Sequence, residues 1–262
     1  MTDPVRCERR GQVLEITIDR PKANAIDMAT SRALGDAFIG YRDDPGLRAA
    51  IVTGAGERIF SAGWDLKAAA EGTEAIDTDY GAGGFAGLTE LFDLNKPVIA
   101  ALNGAAVGGG LEIALASDLI VAVEHVTVAL PEAMLGILAS GGGIVRLARQ
   151  IPRRVAVEML LTGRRMGAGE ALRWGLFNEV VPKEELMPRA RALAEGIAAA
   201  APLAVEATLE MLRLTEDMTV EDTFAAQHGG KLPAYDRMLA SEDAIEGPRA
   251  FAEKRDPVWQ GR

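Results

Sequence analysis

The sequence predicts an α/β fold with a mostly parallel sheet, followed by a region that is helical only. Three observations carry that expectation. The first hundred residues run strand, helix, strand, loop, helix, strand, and the order resumes after residue 103; such alternation belongs to α/β layering. Pro97 to Leu102, Leu119 to Val123 and Val126 to Leu130 are short apolar runs with the length and boundaries of buried strands. Beyond Ala201-Pro202 the pattern contains helices alone, so the chain divides into a core over residues 1–200 and a helical region over 201–262.

Val13 to Ile18 (VLEITI) alternates and predicts a strand, closed by Asp19-Arg20-Pro21-Lys22. After the loop Ala23 to Asp27, with Asp27 as a helix N-cap, Leu34, Ala37, Phe38 and Tyr41 recur at helical spacing from Met28 to Tyr41. Asp43-Asp44-Pro45-Gly46 ends that helix and Ala49 to Thr53 is the next strand. Residues 70–87, rich in alanine and glycine, are expected to be a mobile or ligand-dependent surface segment, with a helix from Leu88 to Leu94. Helices are expected over Leu111 to Ala116, Ile144 to Gln150, Arg153 to Leu161, Ala168 to Trp174 and Leu186 to Ala200, with a last strand at Phe177 to Val181. The C-terminal region reads as helices at Leu203 to Leu214, Val220 to His228 and Leu232 to Leu239, then a tail. Its composition suits packing or assembly rather than chemistry.

The chain has 262 residues, 48% hydrophobic, with a formal net charge of −10. That charge argues against nonspecific binding of nucleic acid or of an anionic membrane. A single cysteine, Cys7, and two histidines leave no internal disulfide and no metal site in view. No run approaches the roughly 18 apolar residues of a membrane-spanning helix. The N-terminus MTDPVRCERRG has no apolar signal segment, so a cytoplasmic location is expected. Nucleotide and hydrolase motifs fail in detail. In Gly54-x-Gly56 the third glycine is replaced by Ile59, and the same Ile59 stands where a nucleophile elbow around Ser61 needs glycine.

The chemistry points to Lys96 to Gly143. Gly108-Gly109-Gly110 opens a helix, which leaves amide N–H groups and a positive dipole end facing the turn. Glu112 lies in the first turns of that helix, and Glu132 follows a strand at Pro131. Each alone reads as a structural acid. Together, in apolar, small-residue surroundings beside a helix N-terminus, they are a candidate acid/base pair, because burial makes a carboxylate costly to ionise.

Five separated motifs, in order, resemble the crotonase (enoyl-CoA hydratase/isomerase) superfamily. They are Ala62-Gly63-Trp64-Asp65-Leu66-Lys67, Asn103-Gly104, Gly108-Gly109-Gly110-x-Glu112, Pro131-Glu132-x-x-x-Gly136 and Phe251-x-Glu253-Lys254-Arg255. Within it, Arg20 to Asp27, Ser61 to Gly72, Gly83 to Glu90 and Ser241 to Pro248 resemble the carnitinyl-CoA dehydratase branch. The resemblance implies a spiral of ββα units with a C-terminal helical region that drives trimer formation, often as a dimer of trimers. It implies a CoA-thioester lyase that hydrates or dehydrates an acyl-CoA, with Glu112 and Glu132 catalytic and the amides of Trp64 and Gly109 forming an oxyanion hole. It further implies CoA contacts at Lys22, Ala23, Ala62, Asp65, Leu66 and Lys67, with Phe251 and Lys254 reaching a neighbouring subunit's CoA. No metal and no cofactor beyond the substrate's CoA are implied. Alternatives on the same scaffold are a general short-chain enoyl-CoA hydratase, a Δ3-Δ2 isomerase, a thioester hydrolase and a noncatalytic binding scaffold; two carboxylates favour water chemistry. One stretch departs from the family pattern. Leu138-Ala139-Ser140-Gly141-Gly142-Gly143 stands where many hydratases carry Pro-Asp-x-Gly-Gly, which is expected to loosen that loop and to alter the acyl end of the site.

Overall fold

The computed structural model of the chain describes residues 3–72 and 79–262. Twelve strands and eleven α-helices follow one another among these residues. The strands are β1 (Val5–Arg10), β2 (Val13–Ile18), β3 (Ala25–Ile26), β4 (Ala49–Gly54), β5 (Ile59–Ser61), β6 (Gly63–Trp64), β7 (Val98–Leu102), β8 (Ala105–Val107), β9 (Leu119–Val123), β10 (Thr127–Ala129), β11 (Met166–Gly167) and β12 (Glu179–Val181). The helices of the core are α1 (Met28–Asp43), α2 (Leu66–Ala70), α3 (Gly109–Ala116), α4 (Gly143–Gln150), α5 (Arg153–Thr162), α6 (Ala168–Arg173) and α7 (Leu186–Ala198). The C-terminal region holds α8 (Pro202–Thr215), α9 (Val220–His228), α10 (Pro233–Leu239) and α11 (Glu242–Glu253).

The large sheet has the order β1-β2-β4-β7-β9-β12, parallel throughout except for the antiparallel edge pair β1–β2. A smaller sheet runs β11-β10-β8-β5, and β3 pairs with β6. The chain therefore spirals. A strand of the large sheet is followed by a strand of a small sheet and then by a helix: β2, β3, α1; β4, β5, α2; β7, β8, α3; β9, β10, α4. This is the ββα repeat implied by the sequence resemblance. Ile16, Ile18, Ile51, Val52, Ile99 and Leu102 fill the core as fully buried side chains, with Phe38 and Tyr41 from α1 packed over them. Tyr41 also donates its hydroxyl to the Pro97 carbonyl at 2.8 Å. Asp27 caps α1 as expected, accepting from the Thr30 amide.

Several elements differ from the sequence expectation. β1 was not anticipated, because VRCERR is charged and every residue after Val5 is exposed on this edge strand. The helix expected from Leu88 to Leu94 is absent; those residues form turns. There the Glu90 amide donates to the Gly83 carbonyl, seven residues back, instead of starting a helical ladder. Of the segment expected to be mobile, residues 73–78 lie outside the described residues, whereas residues 83–87 are buried. They are pinned on α1: the Ala86 amide donates to Ser31 Oγ at 2.7 Å, and Ser31 Oγ in turn donates to the Gly84 carbonyl. The tail beyond Leu239 contains α11, capped by Ser241. The end of the chain returns to the core, where the Trp259 indole donates to the Ala199 carbonyl and Arg48 donates to the Trp259 carbonyl.

Candidate active site

The site is built where parallel strands of the small sheet end side by side. β8 pairs with both β5 and β10, with Val107 opposite Ala129. Carboxyl ends of parallel strands are the usual ligand side of such sheets. The next residues on β8 are Gly108 and Gly109, where α3 begins; the next on β10 are Leu130, Pro131 and Glu132. The Gly108 amide donates to the Ala129 carbonyl at 2.9 Å, which closes the two ends against each other. Gly108 takes φ 55°, a left-handed conformation open to glycine at little cost. A Cβ there would also stand 2.8 Å from Glu132 Oε1. The Glu132 carboxyl thus lies directly over the start of α3.

The β6 edge meets the same point. Gly63 has φ 78°, and a Cβ on it would lie 2.5 Å from the Gly109 amide nitrogen. Trp64 and Gly109 are therefore neighbours across a glycine contact, and both line one cavity of about 470 Å³. Gly109 occupies the first helical position of α3, where an N–H has no intrahelical acceptor. Tyr80, Phe85, Glu90, Glu112, Glu132, Ile137, Leu138, Ser140 and Gly141 complete the lining. The structure thus brings together four predicted residues: Trp64, Gly109, Glu112 and Glu132.

The two carboxylates sit in unlike surroundings. Glu112 is 5% exposed on a helix buried from Gly109 to Leu115. Its Oε1 accepts the Gly143 amide at 2.9 Å. Burial pushes its pKa up to about 7; the Gly143 amide opposes that rise, and the negative charge of Glu132 adds to it. Glu132 is 8% exposed, and its Oε2 is buried with no hydrogen-bond partner among the described residues. Burial raises its pKa as well. One carboxyl is tied to the Gly143 amide, whereas the other has an oxygen buried without a hydrogen-bond partner among the described residues. Such a pair can hold one proton between two sites near neutrality.

The stretch that lacks the family's proline and acid carries the Glu112 clamp. Ala139 is buried, the Ile144 amide donates to the Ala139 carbonyl, and Arg146 donates to the Gly141 carbonyl. Backbone amides, not side chains, hold the catalytic candidate here.

The residues implied as CoA contacts fall into two groups. The Ala62 amide donates to the Ala23 carbonyl at 3.0 Å, and β3 pairs with β6, so Lys22, Ala23, Ala62, Asp65, Leu66 and Lys67 adjoin one another. Lys22, Ala62, Leu66 and Lys67 are exposed. Asp65 caps α2 and accepts from Arg20 at 2.7 Å, an ion pair that also engages Asp27. Burial pushes the Asp65 pKa up, but Arg20 and the amides of Ala68 and Lys67 outweigh it and leave it lowered. Phe251 and Lys254 are not brought to the cavity within one chain; they stand exposed at the end of α11, Phe251 at 88%. Tyr80 and Glu90 line the cavity without having been anticipated. Both lie near a glycine-rich stretch with no periodicity to mark it; Tyr80 packs on Phe85 and the Glu90 amide donates to the Gly83 carbonyl, contacts that no local pattern announces.

Residues 8–262 match the enoyl-CoA hydratase/isomerase family. The chain is 59% identical over 262 residues to carnitinyl-CoA dehydratase from Salmonella enteritidis PT4, covering all of both chains. It is equally similar to carnitinyl-CoA dehydratase from Proteus mirabilis. Among solved structures it resembles an enoyl-CoA hydratase from Mycobacterium tuberculosis H37Rv, with 42% identity, a TM-score of 0.90 and 99% of each chain covered. A carnitinyl-CoA hydratase from Mycobacterium avium superposes over all of both chains at 46% identity and a TM-score of 0.76.

Proposed function

Since the chain belongs to the enoyl-CoA hydratase/isomerase family, we propose that it is a lyase that reversibly removes water across the α,β bond of an acyl-CoA, with carnitinyl-CoA as substrate and crotonobetainyl-CoA as product. The observation that carries the mechanism is the pair Glu112 and Glu132 on one cavity wall, beside the amides of Trp64 and Gly109. In the forward reaction the thioester carbonyl accepts from those two amides. The ionised carboxylate takes a C2 proton, and the electron pair moves into an enolate held by the two N–H groups. As the double bond forms, the C3 hydroxyl leaves with a proton from the other carboxyl, as water. Hydration runs the same steps in reverse, with water held between the two carboxyls before it attacks C3. Donors aimed at a developing oxyanion contribute about 2.7–4 kcal/mol each in such sites.

The reaction needs no group beyond the substrate's CoA. Lys22 and Lys67, exposed beside Asp65, are the proposed contacts for its phosphates, and the C-terminal helices are the proposed surface of self-association, as a trimer or a dimer of trimers. In that assembly Phe251 and Lys254 reach a neighbouring copy's CoA. The departure at Ala139-Ser140 is the one observation that favours a general short-chain hydratase. Incubation with carnitinyl-CoA followed by mass spectrometry separates the readings. Loss of one water with CoA still attached supports the proposal. Released CoA excludes it in favour of a hydrolase, and carnitinyl-CoA recovered unchanged excludes carnitinyl-CoA as the substrate. Water lost only from β-hydroxybutyryl-CoA supports the short-chain reading.

A further inference from the structure

The charge lining the cavity is one-sided. Glu90, Glu112 and Glu132 face it, three aromatic rings join them, and no lysine or arginine is among the lining residues. An acyl-CoA site with an uncharged acyl chain has no use for a third carboxylate. Glu90 is exposed, and no ion pair joins it to any described residue. Arg146 feels the Glu90 charge without forming a direct ion pair with it. It donates to the Thr89 carbonyl at 2.6 Å and to the Gly141 carbonyl, and with Glu90 it lines the adjoining cavity, so Glu90 stands on the wall between the two.

The position of Glu90 is built by the backbone. Its amide donates to the Gly83 carbonyl at 2.9 Å, and a Cβ on Gly84 would stand 2.7 Å from the Glu90 carboxyl carbon, so the carboxylate lies along the Gly83-Gly84 backbone. Phe85 follows directly. Its ring edge rests on Gly109, at the start of α3, and Tyr80 packs against it edge-on with centroids 5.3 Å apart. The order from the oxyanion position outward is therefore Gly109, Phe85, Tyr80, with Glu90 alongside. Aromatic faces with a carboxylate form the environment that a quaternary ammonium requires, since such a cation has no N–H to donate and is held by ring faces and by charge. Glu132, which lines the same cavity, adds to its negative potential when ionised.

We propose that Glu90, with Tyr80 and Phe85, forms the cation subsite that selects an acyl chain bearing a quaternary ammonium one carbon beyond the reacting C3. This rests on the proposed carnitinyl-CoA reading and supplies its specificity determinant. Glu90 acts on the substrate's remote charge and takes no part in the proton transfers.

Binding of two unreactive ligands tests it separately from the reaction. One is the saturated γ-trimethylammoniobutyryl thioester of CoA. The other is its neutral isostere, with carbon in place of the quaternary nitrogen. By calorimetry the wild-type protein binds the cationic ligand about tenfold or more tightly than the isostere. Glu90→Gln lowers that ratio about tenfold, through weaker binding of the cationic ligand alone; Glu90→Asp restores part of it, which a merely structural role would not do. Equal binding of the two ligands by the wild type, or an unchanged ratio in Glu90→Gln, overturns the inference. If water loss from carnitinyl-CoA is absent while the ratio stands, the proposed reaction fails and the cation subsite remains.

Discussion

At the scale of single residues, Glu112 combines its proposed catalytic use with a stability cost. Its folded pKa, about 7, lies above the ordinary 4.5, so the native state binds the extra proton between those values. Stability tied to this group is full below about 4.5 and is lost as pH rises toward 7, a loss of about 3 kcal/mol. Glu112→Gln keeps an oxygen for the Gly143 amide and carries no charge to desolvate. It is therefore expected to raise the melting temperature at pH about 8 while cutting kcat by roughly 10²–10⁴-fold; a scanning calorimetry run beside a rate assay checks both. Glu132→Gln is expected to cut kcat over the same range. The pH dependence of kcat/KM follows from the shared proton. Activity falls on the acid side as the ionised carboxyl is protonated, and on the alkaline side above about 7 as the other loses its proton. Trp64 is the third residue with a specific expectation. It lines the cavity in which the acyl chain is proposed to lie, and its amide survives substitution, so Trp64→Leu is expected to lower the preference for carnitinyl-CoA over β-hydroxybutyryl-CoA by about 2-fold to 30-fold.

At the scale of elements, the site depends on the junction of β8, α3 and the end of β10. Gly108→Ala forces a left-handed φ on a residue with a Cβ and presses that Cβ against Glu132. The variant is expected to lose about 1–3 kcal/mol in urea unfolding and to lose turnover at the same time, because the strain is relieved only by moving α3 or Glu132. Much of this junction was legible in the sequence. Gly108-Gly109-Gly110 before an apolar helix, and Glu132 after a strand, were enough to mark both carboxylates beside a helix N-terminus; the family resemblance picked out the Gly109 amide. The family motifs, not periodicity, supplied Trp64 and the contacts from Lys22 to Lys67. What stayed hidden had no local signature. β1 is a charged edge strand, and the turns at Leu88 to Leu94 mimic a helix until the Glu90 amide bonds back to Gly83. Tyr80 and Glu90 line the cavity on either side of residues 84–86, which Ser31 of α1 holds in place.

At the scale of the whole molecule, the single chain leaves apolar side chains uncovered. Leu138, Val145 and Leu161 on the core and Val220, Phe224, Ile245 and Phe251 on the C-terminal helices are all more than half exposed. The proposed self-association would cover them, and it gives a use to C-terminal helices that add no lining residue to the cavity. Light scattering is expected to give a trimer or a multiple of it; a monomer at assay concentration contradicts the proposed assembly. Within that assembly Lys254→Ala is expected to raise KM severalfold with kcat the lesser effect, since a phosphate contact lies far from the reacting carbons. The central claim is that Glu112 and Glu132 together hold the water that adds to C3. Its most direct test is the uptake of heavy oxygen from labelled water into the C3 hydroxyl of crotonobetainyl-CoA hydrated by the wild type and by Glu112→Gln and Glu132→Gln. Rapid uptake by the wild type and its near-complete loss in both variants, each still binding the acyl-CoA, is the predicted result; uptake at a near wild-type rate in either variant contradicts the account.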